Sequence, residues 1–320
     1  MIGRRSLGGI LATSFLARAA QAAWPAERPI EMIVPFPPGG GVDAVARFAT
    51  YQIGPRLPGA RFVVSNRPGA SGQLGMEAIF NAAGDGYTLG TIGSLNVSTL
   101  PLERPVRWRA EEFTYIANIV DDPCGLWVLA NSPLHNLADL VDRLRQRPES
   151  VSVGSAAGVG SDDHLVLLGL EEAAGVRALH APFNGTAQVQ RDMLSGAVDV
   201  ASFNMSEGIV LLRDGRIRCL GQAAPARWSA AAQVPTFREQ GFEVVLGSAR
   251  GVVGPPGLPA DVVRTLTEAF AATFADPRFA AEAERVALPI RPLIGAEYRA
   301  MVLAEGEAIR ALHHRRPWSR

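Results

Sequence analysis

Two short loops in this chain concentrate main-chain chemistry. The first, Phe36-Pro37-Pro38-Gly39-Gly40-Gly41, ends one apolar run and opens a helical pattern. Three successive glycines let backbone N–H groups turn inward, and a helix N-terminus adds partial positive charge worth about 0.3–1 kcal/mol to a nearby carboxylate. Asp43 is placed to cap that first turn. The second loop, Ser155-Ala156-Ala157-Gly158-Val159-Gly160-Ser161, repeats the device ahead of a helix opening at Asp162. Small residues such as Ala157 and Gly160 expose backbone donors, and Ser155 and Ser161 add hydroxyls. Two helix starts facing each other across a cleft would hold a dicarboxylate by its two ends.

Other chemistries fit the same residues less well. Gly39-x-Gly41-x-x-Ala44 matches a dinucleotide fingerprint, but Asn66 stands where a ribose-binding acid belongs. In Asp162-Asp163-His164, adjacent positions on a helix diverge and no third ligand lies at a matching spacing, so no metal is expected. Capping by Asp162 or Asp163, with His164 structural or ligand-orienting, is the expectation. Ser161 and His164 are poorly spaced for a nucleophile and its base, and no G-x-S-x-G elbow occurs, so an exported hydrolase ranks last among the readings. Three further loops sit at strand ends: Asn66 to Gly72, Gly93-Ser94-Leu95-Asn96, and Phe183-Asn184-Gly185-Thr186. Asn204 holds the same kind of position. Ligand contacts and ordinary turn chemistry explain these equally well.

The elements that would position these loops alternate. Ile30 to Val34, Arg61 to Ser65 and Tyr87 to Ile92 read as strands separated by helical patterns, and the rhythm resumes from Tyr115 to Gln222. Tyr115 to Val120 and Leu126 to Ala130 read as separate strands, and the tail from Ala260 to His314 as mostly helical, broken at Asp276-Pro277 and Pro289 to Pro292. Strands alternating with helices mean α/β sheets covered on both faces. At 320 residues, two lobes are expected. Crossovers near Asp121 to Cys124 and Val245 to Ser248 divide the chain into lobe one (23–123 plus 247–320) and lobe two (124–246). Ligands of open α/β sheets bind beyond the carboxyl ends of strands, here between the lobes.

Composition narrows the function classes. All 31 basic residues are arginine, which excludes a Schiff-base lysine or a Walker lysine, and they balance 31 acids, which argues against a nucleic-acid binder. Arg4 and Arg5 precede an apolar stretch from Leu7 to Leu16 and the small-x-small triplet Ala20-Gln21-Ala22, so residues 1–22 read as a signal peptide cut near Ala22. The general secretion route fits the flanks better than a twin-Arg signal. Cys124 and Cys219 lack metal spacing, and two buried thiols are expected before a bridge.

At this point the motifs carry a resemblance. Val34-Pro35-Phe36-Pro37-Pro38-Gly39-Gly40, Asn66-Arg67-Pro68-Gly69-Ala70 and Asp85-Gly86-Tyr87-Thr88-Leu89, in that order, resemble the tripartite tricarboxylate transporter receptors, the Bug-type periplasmic proteins. Gly158 to His164, Pro182 to Gly185, Gly196 to Asp199, Val234-Pro235-Thr236 and Gly254 to Pro259 look like further landmarks. The resemblance implies a two-lobed periplasmic binding protein of type II topology, monomeric and without cofactor. It would deliver a small carboxylate to multi-spanning permease subunits made by other chains. It also implies a ligand carboxylate pinned between Phe36 to Gly41 and Ser155 to Ser161, partly through ordered waters. Some members, including receptors for amino-acid ligands, carry an acid in the segment that here reads Ala201-Ser202-Phe203-Asn204, and none stands there in this chain, so a ligand amino group is less expected, a di- or tricarboxylate such as citrate is favoured, and an aromatic acid stays open. A receptor reporting to a membrane sensor is the alternative.

Overall fold

Strand β1 (Ile30–Val34) shows why the first lobe is layered. Its alternate side chains leave on opposite faces, Met32 and Val34 to one apolar core and Ile33 to another. In the computed structural model, which describes residues 24–318, the chain continues through α1 (Gly41–Ile53), β2 (Phe62–Asn66), α2 (Gln73–Phe80), β3 (Thr88–Gly93) and α3 (Ser94–Glu103). Then follow β4 (Thr114–Leu129), α4 (Leu137–Gln146), β5 (Ser152–Ser155), α5 (Asp162–Ala174), β6 (Leu179–Pro182), α6 (Thr186–Leu194), β7 (Val200–Asn204), α7 (Met205–Arg213) and β8 (Ile217–Gln222). The last elements are β9 (Gly247–Gly254), α8 (Ala260–Phe274), α9 (Pro277–Arg285), β10 (Ile290–Ile294) and α10 (Ala296–Arg315). The expected signal peptide, residues 1–22, lies outside the described residues.

The sheet order is β2-β1-β3-β9-β4-β7-β5-β6, with β8 and β10 also pairing β4. Strand β4 is the joint. From Thr114 to Pro123 it runs antiparallel to β9, and from Cys124 onward it pairs β7 and then β8. The sequence suggests two strands here; the structure has one 16-residue strand shared by both halves of the sheet. Val45, Phe48 and Ile53 of α1 and Leu266 and Phe270 of α8 cover one face of the first lobe, and Met76, Ile79, Tyr298 and Val302 cover the other. The second lobe repeats the arrangement, with α4 and α5 on one face and α6 and α7 on the other. Trp127 anchors it, stacked on Phe203 at 5.1 Å and donating its indole N–H to the Phe203 carbonyl at 2.8 Å.

Two segments differ from the sequence reading. Gly93 to Asn96 is not a free loop, because Ser94 opens α3, whose Val97 and Leu100 pack into the core against α10. Pro101 inside α3 has no N–H for the Val97 carbonyl, and the Trp108 indole supplies that bond at 3.0 Å. The break at Pro289 to Pro292 is strand β10, antiparallel to β4 with an irregular register between Ile290 and Leu293, where a proline is tolerated. Among the described residues, no helix is long and apolar enough to cross a membrane, and Cys124 and Cys219 are both buried and unbridged.

Candidate functional site

A cavity of about 350 Å³ lies beyond the carboxyl ends of β1, β5, β6 and β7. Phe36, Pro37, Pro38, Gly40, Gly41 and Val42 line it from the first loop, and Ala156, Ala157, Asp162 and Asp163 from the second. Asn184, Gly185 and Thr186 add the rim that continues into α6. The lobes meet around it. A Cβ on Gly185 would sit 3.5 Å from Pro37, and one on Gly40 would sit 3.8 Å from the Thr186 hydroxyl and 3.9 Å from Glu207.

The floor of the cavity is an ionic cluster that spans both lobes. Arg250, in the middle of β9, is almost wholly buried. Its Nη1 donates to Asp122 at 2.8 Å and its Nη2 to Asn204 at 2.5 Å. Burial pushes the Asp122 carboxyl up, while the Arg250 guanidinium and the Ser206 hydroxyl pull against that shift. Gly41 is a glycine for Arg250's sake, since any Cβ there would overlap the guanidinium. Asn204 is the hub: its amide donates to the Asp122 carbonyl at 2.8 Å and to Asp162 at 2.7 Å while its oxygen accepts from Arg250.

Glu207, on α7, reaches across the cleft. It accepts from the Gly41 N–H at 2.5 Å, from the Thr186 hydroxyl at 2.9 Å and from the Asn204 N–H at 3.1 Å. A carboxylate of the protein's own therefore sits at the start of α1, where the sequence reading places a ligand's. Asp162 accepts from Asn204 and from the Cys124 thiol at 3.2 Å. Asp163 is 2% exposed and its Oδ1 has no hydrogen-bond partner among the described residues. Burial foremost, then Asp162 and Glu207, push it well above the usual carboxylate range.

The second loop is braced from behind. Ser161, not an aspartate, caps α5 by accepting from the His164 N–H at 3.3 Å, and its hydroxyl donates back to the carbonyls of Ala156 and Gly158. His164 accepts the Gly160 N–H on Nδ1 at 3.1 Å and stacks on His180 at 4.0 Å, and His180 bonds the Ser155 hydroxyl at 2.7 Å. Burial lowers His164 to about 3 and His180 to about 4, so both rings are neutral at neutral pH.

The sequence-derived residues therefore divide. Phe36, Pro37, Gly40, Gly41, Asn96, Ala157, Asn184, Gly185, Thr186 and Asn204 line the cavity. Ser155, Ser161 and His164 stand behind the second loop as its scaffold, and Gly160 faces Glu103 and Trp318 rather than the cleft. Asp43 turns back to accept from the Gly39 N–H at 3.0 Å and pairs with Arg47, so both Asp43 and Gly39 shape the first loop without lining the cavity. Ser94 is buried at the start of α3. No aspartate caps a first turn in either loop, because the short hydroxyl of Ser161 and the bare backbone of Gly40 occupy the cap positions.

Arg250, Glu207, Asp122, Ser248 and the two aspartates as cleft residues were missed by sequence reasoning. Arg250 carried a signal, since an arginine inside the apolar run from Val244 to Val253 has to be paired if that run is buried. The Asp162-Asp163-His164 triplet does not converge: Asp162 and Asp163 approach Cys124, with ligand atoms within 4.8 Å of one another, while His164 turns away to His180. The Cys124 thiol is pushed well up by burial and the nearby aspartates, and it serves as a hydrogen-bond donor.

Two α/β lobes joined through β4 and β9, closed over a cavity at their strand ends, define a periplasmic-type solute-binding receptor with the type II fold. The chain belongs to the tripartite tricarboxylate transporter receptor family, whose model, described as "Tripartite tricarboxylate transporter family receptor", matches residues 45–288. It is 33% identical over 275 residues to a UPF0065 protein of the tcbD-tcbE intergenic region in Pseudomonas sp. (strain P51), covering 82% of this chain and 79% of that one. The solved structure of the periplasmic binding protein BugD superposes with a TM-score of 0.84 at 26% identity, covering 92% and 99% of the two chains. The R. palustris protein Rpa4515, solved with adipate, gives 0.82 at 27% identity, with 92% and 97% covered. Members of this family are periplasmic solute receptors, and the chain is accordingly a binding protein and not an enzyme.

Proposed function

We propose that this receptor captures a small organic carboxylate between its lobes and delivers it to a multi-spanning permease of the tripartite tricarboxylate transporter type. One observation carries the reading: loops from both lobes, Phe36 to Gly41 and Ala156 to Asp163, line a single cavity of about 350 Å³, within the size range of small-ligand sites. The exposed Arg191 at the rim supplies a positive group for an anion. The adipate-bound relative supports a dicarboxylate ligand. Citrate fits less well than the sequence suggests, because a trianion would share the cavity with Asp162, Asp163 and Glu207. The leader reading supports export with cleavage near Ala22, so the protein recovered from the periplasm should begin at Ala23 by N-terminal sequencing.

The test is a thermal-shift screen of the purified protein against mono-, di- and tricarboxylates, amino acids, sugars and metal ions. A ligand at 100 times its Kd adds about 2.7 kcal/mol, a clear rise in Tm. Stabilisation by sugars alone, with every acid silent, would overturn the assignment.

A further inference from the structure

The start of α1 suits a carboxylate, and the chain fills that position itself. Glu207 Oε1 accepts from the Gly41 N–H at 2.5 Å and from the Thr186 hydroxyl at 2.9 Å, so one oxygen closes the N-terminus of α1 and joins it to the first residue of α6. Arg250 Nη2 lies 3.8 Å from the same oxygen. The other oxygen is committed too. Glu207 Oε2 accepts from the Asn204 N–H at 3.1 Å, which completes the capping box at the head of α7. A ligand carboxylate seated at α1 would have to pull Glu207 off Gly41 and Thr186, against the anchor of that cap.

What remains of the cavity suits one anion on an apolar body. Phe36, Pro37, Pro38 and Val42 from the first lobe and Ala156 and Ala157 from the second give it apolar walls. For an anion it offers Asn96, 3% exposed, whose side-chain nitrogen has no partner among the described residues, and the exposed Arg191 at the rim. A second carboxylate on the ligand would approach Glu207 and Asp162, and like charges in a desolvated cleft repel more strongly than they do in water. A methyl end in the same place meets no such repulsion and gains from burial.

We propose that Glu207 stands in for one of the two carboxylates that the paired loops would hold, so that this receptor takes monocarboxylates with an apolar body. This deepens the receptor reading and rests on it: the ligand keeps one carboxylate where adipate, bound in the relative Rpa4515, has two. Asn96 donates to that carboxylate and the apolar walls enclose the rest. In the sequence, Asn204-x-x-Glu207 reads as an ordinary helix cap, and nothing local shows that its acid faces Gly41 from 166 positions away.

The experiment compares two pairs of probes that differ only in a methyl or a carboxylate at one end: hexanoate against adipate, and 4-methylbenzoate against terephthalate. Calorimetry on the full chain should show the methyl-ended member of at least one pair binding ten-fold or more tighter than its partner. Glu207→Ala frees the Gly41 N–H and the Thr186 hydroxyl, so it should shift that ratio ten-fold or more toward the dicarboxylate. Should Glu207→Ala fail to fold, Glu207→Gln, which keeps an acceptor oxygen but not the charge, takes its place, and an unchanged ratio there counts equally against the proposal. Equal or tighter binding of the dicarboxylates by the wild type, or a ratio that the substitution leaves unchanged, would overturn the role of Glu207 while leaving the receptor reading standing. Binding of none of the four probes, with other acids of the thermal-shift screen raising Tm, would likewise overturn this proposal alone. Silence of those acids as well would overturn both readings together.

Discussion

Arg250 does two jobs with one guanidinium. It neutralises Asp122, and with Asn204 it fixes the meeting point of β4, β7 and α1 beneath the cleft. Removing one partner of a buried pair leaves an uncompensated charge, so Arg250→Ala should cost about 3–5 kcal/mol, read as a lower midpoint in denaturant unfolding. Loss within experimental error would show that Asp122 is neutralised some other way. Gly40 answers a different question. Its φ of −87° and ψ of 171° suit a β-branched residue, and a Cβ there meets only Thr186 and Glu207 at ordinary contact distances. Gly40→Val should therefore leave Tm nearly unchanged while filling the cleft and weakening ligand binding ten-fold or more by calorimetry. Gly160→Val would not test the cleft in the same way. Gly160 has a φ of +72° and lies against Glu103 and Trp318, so its substitution disturbs the scaffold before it reaches the ligand.

At the scale of elements, the second loop owes its shape to a neutral histidine pair. His164 and His180 have folded pKa values near 3 and 4, below the ordinary 6.5, because burial disfavours the charged rings. The unfolded chain takes up protons as pH falls through 6.5 and the folded chain does not. Their contribution is therefore complete above pH 6.5 and is lost on acidification, by up to about 1.4 kcal/mol per pH unit for each ring between pH 6 and 4. His164→Gln, whose amide oxygen can accept the Gly160 N–H without titrating, should flatten that slope by about one proton, measured by denaturant unfolding at pH 7, 6, 5 and 4.5. An identical slope in the variant would reject the role. The loop itself was legible in the sequence, since glycine, serine and a strand end announce a helix start wherever they occur. Local periodicity likewise gave the alternating elements. What it could not give were contacts between residues far apart in the chain. Glu207 meets Gly41 from 166 positions away and Arg250 meets Asp122 from 128. Nor could it show that α3 survives Pro101 because Trp108 completes its bonding.

At the scale of the whole molecule, further ties between the lobes supplement the hinge strands and the Arg250 cluster. Glu207 bonds the start of α1 at the cleft mouth, and the C-terminal segment after α10 crosses to the second lobe. There Arg316 donates to the Leu168 carbonyl at 2.6 Å and to Glu171 at 2.8 Å, and Leu95 and Ile309 pack with Leu165 in one apolar cluster. Gly247, at the start of β9, passes so close to Asp122 that a Cβ would lie 2.6 Å from its carbonyl oxygen, which leaves little slack at the hinge. A ligand selects the closed arrangement only through contacts that the open one lacks. Small-angle scattering should therefore show a radius of gyration of about 20 Å for the closed, ligand-saturated protein of this length. The ligand-free value should be larger. Arg316→Ala removes one tie without touching the cavity, so it should raise the ligand-free radius and weaken apparent affinity severalfold, since binding would first have to close a more open population. The saturated radius should stay the same as the wild type's. A variant with both radii unchanged and full affinity would mean that the Arg316 contact is made equally in the open and closed forms, and closure would then rest on the cleft residues alone.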